Sequence, residues 1–112
     1  MVVALAVYEF HLPGCRGLKE KRSFLRLLKS RLRGDFEISA AEVAHQDLLQ
    51  RATIGIAAVG PDTEGLEPLL QKIRDFIETY ADENGAEIAR ESHELVGFGD
   101  VGEPGSSFGA AD

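Results

Sequence analysis

Five cationic side chains, Lys19, Arg22, Arg26, Lys29 and Arg33, recur every three or four residues in the stretch LKEKRSFLRLLKSRLRG. At about 100° per residue on a helical wheel they fall within about 80° of one another, a stripe running the length of one helix. Five like charges in a row repel, and a helix that needed only solubility would interleave acids at i, i+4. Glu20 is the single acid between Leu18 and Arg33. The chemistry open to such a stripe is anion binding, with an RNA backbone, a phosphorylated ligand or an acidic protein as the partner. The competing reading is a solvated face whose arginine stems cover core edges and pair with Glu9, Glu37 or Glu42.

The first turn of this helix, GLKEKR, holds cations where the helix dipole typically costs each of them about 0.3–1 kcal/mol. Gly17 supplies no side-chain cap, so free amides stand beside Lys19 and Arg22, the geometry an anion would use. Lys21 lies toward the apolar flank and reads as a covering or pairing residue.

The 112-residue chain has a net charge of −7, unevenly spread. Residues 1–34 hold eight of the twelve Lys and Arg against Glu9 and Glu20, a net +6, and the remaining residues hold four bases against seventeen acids, a net −13. Either a basic surface stands on an acidic protein, or the two halves attract one another within the fold or across a dimer.

Other reactive residues are sparse. The single cysteine, Cys15, excludes an internal disulfide and a cysteine-cluster metal site, and a catalytic thiol would also need a positioned histidine. His11, His45 and His93 lie on separate elements with no ligand spacing and read as structural. A small-ligand or catalytic role around Cys15, His11 and the loop before the first helix is the third-ranked reading. Asp47 and Arg51, four residues apart, are expected to pair locally. No Walker A loop, GxGxxG, GxSxG or HExxH pattern occurs. The expectation is therefore a non-enzymatic protein with no catalytic residue, cofactor or metal.

These residues are positioned by a simple series of elements. VVALAVYEFHL (2–12) reads as a central strand, Leu18–Arg33 as a helix with Gly34 as its stop, and FEISAAEVA (36–44) as a strand with a bulge near Ala40–Ala41. ATIGIAAVG (52–60) is a third strand with Ile54, Ile56 and Ala58 on one face. A second helix follows, with Pro68 in its first turn and Asn84–Gly85 at its exit, and AEIARESHELVGF (86–98) is a charged edge strand. The order βαββαβ predicts an α+β, ferredoxin-like sandwich, a four-stranded antiparallel sheet with two helices on one face. Residues 1–98 form its single domain, and 99–112, with Phe108, a flexible tail.

Helices on one face leave the other in need of cover, since the first strand offers Val3, Leu5 and Val7 to one side and Ala4, Ala6, Tyr8 and Phe10 to the other. A homodimer or larger homo-oligomer is the simplest solution, with Tyr8 and Phe10 as interface or core residues. RNA binding on the sheet, as in an RRM, is rejected because the third strand lacks stacking aromatics. No run approaches the roughly 18 apolar residues of a membrane span, and MVVALAVYEF lacks the basic start and cleavage site of a signal peptide, so a cytoplasmic location is expected.

The chain resembles the small bacterial YlxP-type family in HLPGCRGLKEKRSFLR, FEISAAEVAHQDLLQRATIGIA and LEPLLQKIRDFIETY, over residues 1 to about 97. LKEKR at 18–22, Asp47, Gln50 and Arg51 match its signature; Gly17 stands where relatives commonly have Ser, and Leu49 where an aromatic is frequent. The resemblance implies a ferredoxin-like fold and self-association. Family members are often encoded among translation-initiation and ribosome-maturation factors, which adds RNA or the ribosome to the expected partners. A purely structural or regulatory oligomer, its stripe neutralised by acids of a neighbouring subunit, and a small-anion-binding protein are the alternatives.

Overall fold

A computed structural model describes residues 1–99; residues 100–112, which hold nearly all of the expected tail, Phe108 included, lie outside the described residues. The elements are β1 (Val2–His11), α1 (Leu18–Asp35), β2 (Ser39–Ala44), β3 (Arg51–Gly60), α2 (Thr63–Glu83) and β4 (Glu87–Gly97). They form one antiparallel sheet in the order β2-β3-β1-β4, the ferredoxin-like arrangement with β1 and β3 central.

Alternation along β1 decides what the helices cover. Ala4, Ala6, Tyr8 and Phe10 are buried, and they share the core with Leu25, Leu28 and Leu32 of α1 and Ile73, Ile77 and Tyr80 of α2. Both helices therefore lie on the face of the even-numbered β1 residues. Tyr8 and Phe10, expected at an oligomer interface, are 4% and 0% exposed beneath the helices and do not reach the other face. Their cross-strand partners on β3 are Ile54 and Ala52, which belong to the same core.

Four local expectations change. Gly34 does not stop α1: the helix runs through it to Asp35, with Phe36 as C-cap donating its N–H to Leu32 O. β2 begins only at Ser39, and its irregularity falls between Glu42 and Ala44, placing Val43 on the open face against Gly55. Asp62 caps α2 by accepting from Gly65 N, so the helix starts early enough to put Pro68 in its second turn, where the pyrrolidine removes one helical hydrogen bond. Leu18, placed on the apolar stripe of α1, is 46% exposed, and Lys21 occupies the buried row with Leu25, Leu28 and Leu32.

Lys21 is 3% exposed. Its ammonium donates to His45 O at 2.6 Å and Leu48 O at 2.5 Å and stands 3.4 Å from a Glu42 carboxylate oxygen. These oxygens belong to β2 and the β2–β3 connection, so a charge that would otherwise be expensive to bury ties the start of α1 to the sheet. Gln50 N–H groups reach the Pro13 and Cys15 carbonyls at 3.4 Å, and Leu12 N donates to Gln50 O at 2.9 Å, which fastens the loop before α1 to the same connection. The helices are joined above the sheet by Tyr80, whose hydroxyl donates to Phe24 O at 2.8 Å while its ring lies 5.2 Å from that of Phe24.

Two outcomes follow. Lys21→Met leaves the His45 and Leu48 carbonyls and Glu42 without their cation and is expected to cost about 2–4 kcal/mol in urea unfolding, against less than about 0.5 kcal/mol for the exposed neighbour Lys19→Met. Burial raises the Tyr80 phenol above its ordinary value near 10, and burial with the Glu91 carboxylate does the same for Tyr8. The fold thus holds protons that the unfolded chain releases, so stability is intact below pH 10 and falls as pH rises beyond it. A Tyr8→Phe/Tyr80→Phe variant should show a shallower loss when unfolding free energy is measured across that alkaline range.

Candidate anion-binding surface

The stripe expected on α1 forms on its outer side. Lys19, Arg22, Arg26 and Arg33 are exposed and Lys29 is half-buried at the edge of the core row. Of the three carboxylates expected to neutralise them, Glu9 lies on the opposite sheet face and pairs with Arg51, Glu42 pairs with Lys21, and Glu37 is exposed without a salt bridge among the described residues. Among the described residues, the side chains of Lys19, Arg22, Arg26 and Lys29 form no salt bridge. Arg33 donates to the Ala40 carbonyl, which holds that end of the stripe against β2 without consuming its charge. Arg74, by contrast, is held between Glu91 at 2.7 Å and Glu78 at 3.0 Å.

At the other end of the stripe Gly17 is an extended N-cap that offers no side-chain hydrogen bond. Glu20, the acid of the first turn, turns back to accept from Arg16 N at 3.2 Å. Two clefts flank this end. One of about 530 Å³ lies between the start of α1 and the end of α2, with Leu12, Cys15, Phe24, Leu27 and Tyr80 along it and Lys19 at its edge. The other, about 270 Å³, places Arg22 near Glu42 and Asp47.

The remaining candidates stay apart. Cys15 is 8% exposed and its thiol points to Gly17 O at 3.4 Å. His11 Nδ1 contacts Glu87 at 3.0 Å, His45 Nδ1 contacts Thr53 Oγ1 at 2.6 Å, and His93 lies on the edge strand β4. No group of three or more His, Cys, Asp or Glu among the described residues could hold a metal ion. Arg51 does not pair with Asp47; as the first residue of β3 it falls on the same sheet face as Glu9 and pairs there. No helix among the described residues is long and apolar enough to cross a membrane.

Residue spacing puts the five cations on one side of α1, but it carries no signal for the anchors around them: Glu42, expected to face the stripe, lies beside Lys21, and the Gln50 amide joins its own loop to the one before α1.

The uncharacterized protein YlxP of Bacillus subtilis (strain 168) is 38% identical over 63 residues, 56% of this chain and 68% of that protein. A solved structure, a C-terminal segment of the alpha subunit of aIF2 from Pyrococcus abyssi, is similar over 84% of this chain and 49% of that one, at 21% identity and a TM-score of 0.48. This chain thus spans about half the length of that segment. The family model described as "Protein of unknown function (DUF503)" matches residues 3–90, which takes in the whole of α1, the sheet connection that anchors it and the start of β4, and the chain belongs to that family.

Proposed function

We propose that this protein is a non-enzymatic, self-associating cytoplasmic factor that binds RNA, ribosomal RNA or a ribosome-assembly intermediate foremost, through the outer face of α1. The observation that carries this reading is that Lys19, Arg22, Arg26 and Lys29 form no salt bridge among the described residues, although Glu42, which lines the same small cleft as Arg22, is within reach and pairs with Lys21 instead. Four to five cations in line on a helix about 27 Å long (1.5 Å per residue) match a run of consecutive phosphates, and they ask for no covalent chemistry. The first turn of α1, which Gly17 leaves without a side-chain cap, adds backbone donors at the same end.

Binding of a labelled ribosomal RNA fragment, followed by fluorescence anisotropy, should weaken about 10²-fold between 50 and 200 mM salt if about five phosphates are neutralised. Arg22→Glu/Arg26→Glu/Lys29→Glu is expected to lower affinity at least tenfold and flatten that salt dependence, with circular dichroism and sedimentation unchanged. Affinity indifferent to the three reversals would remove the reading. Reversals that instead dissociate the oligomer would assign the stripe to contact with a neighbouring subunit.

A further inference from the structure

The helices cover the sheet face that carries Tyr8 and Phe10, and nothing among the described residues covers the other. That open face is apolar at its centre. Leu5 and Val7 of β1 are 41% and 38% exposed, Val43 of β2 is 55% and Val59 of β3 is 67%. Val3 pairs with Val59, Leu5 with Ala57 and Val7 with Gly55, so these residues form one continuous surface. The single acid in this row of β1, Glu9, is neutralised by Arg51 at one end.

We infer that this face is where two copies of the chain pack, sheet against sheet, about a two-fold axis; the inference rests on the self-association proposed above and specifies its surface. Three features favour a second copy over another occupant. First, the face has relief suited to itself. β1 presents a ridge of Val3, Leu5 and Val7, whereas β3 beside it presents Gly55 and Ala57, a trough in which the ridge of a second copy fits when the two sheets meet. Val43 leans over Gly55, its methyl group 2.9 Å from where a Cβ there would stand, so it closes that end of the trough and leaves it open at Ala57. Second, the size is appropriate. Two central strands of ten residues at about 3.3 Å each, in a sheet of four strands spaced about 4.8 Å, give a footprint near 600 Å² before side-chain relief is added, on the scale of the about 800 Å² that each partner buries in a specific dimer. Third, the centre of the face is apolar and its polar residues stand around it, Glu94, Ser92 and Arg90 along β4 opposite Leu5, Val7 and Glu9, and the Arg51–Glu9 and His11–Glu87 pairs at one end, a polar rim about an apolar core.

This packing leaves both α1 stripes on the outside of the dimer, since the helices occupy the opposite faces. The acids of one subunit then do not neutralise the stripe of the other.

Sedimentation equilibrium of the full chain tests the inference. The wild type should sediment at twice the chain mass at micromolar concentration. Leu5→Glu, at the centre of the face, should raise the dimer dissociation constant at least a hundredfold, and Val59→Glu, whose side chain already projects into solvent, at least tenfold with unfolding midpoint retained. A wild type that stays monomeric to about millimolar concentration would overturn self-association and this surface together. A dimer that withstands both Leu5→Glu and Val59→Glu would overturn this surface alone and place the contact elsewhere.

Discussion

The buried ammonium of Lys21 fixes how α1 sits on the sheet. A desolvated cation is tolerated only when oxygens surround it, and here two loop carbonyls and a carboxylate converge from β2 and the β2–β3 connection. His45 adopts a positive φ of 60°, a conformation uncommon outside glycine, and its carbonyl is one of the two that Lys21 reaches. With Lys21 turned inward, Leu25, Leu28 and Leu32 follow it into the core at helical spacing. The rotation of the helix is thereby set, and Lys19, Arg22 and Arg26 are carried to the outside. One lysine of GLKEKR thus orients the helix and its neighbours two positions before and one after remain available to solvent.

The second constraint is a sheet with helices on one side. Because βαββαβ crossovers of one hand put both helices on the same face, the molecule has two unlike surfaces. The helix side carries charge on its exterior, basic along α1 and acidic over much of α2. The sheet side is apolar at its centre, with its charged residues at the rim and at one end. Since the chain as a whole is at −7, an approaching polyanion is repelled from most of the surface and drawn to α1 within roughly the 8–10 Å over which charges act at physiological salt. The proposed anion contact and the proposed contact between copies therefore fall on opposite faces.

Much of this architecture was legible from residue pattern. The near-continuous apolar run of β1, the Ile54, Ile56 and Ala58 face of β3 and the 3.6-residue repeat in α2 give the element order, and the order gives the sheet. The wheel positions of the five stripe cations follow from spacing alone. What pattern could not supply was the register. Position in β1 divides its residues into two sets without saying which one the helices cover, which leaves Tyr8 and Phe10 open between interface and core. Pairing of Tyr8 with Ile54 and Phe10 with Ala52 puts them with the core residues of β3. The helix ends differ for separate reasons: Phe36 packs against Phe76 and donates its N–H to Leu32 O beyond Gly34, and the local Asp62 cap on Gly65 N starts α2 ahead of Pro68. The Arg51–Glu9 pair depended on register in the same way, since spacing in sequence pointed to Asp47.

The central claim is that the exposed row of α1 meets RNA while Lys21 and the open sheet face do not. Nuclear magnetic resonance titration of the isotopically labelled full chain with a ribosomal RNA fragment reads all three regions at once. The account predicts shifts at Lys19, Arg22, Arg26 and Lys29 that fade as salt is raised, with Leu5, Val7 and Val59 unchanged. Shifts centred on the sheet face, or none at low salt, would contradict it.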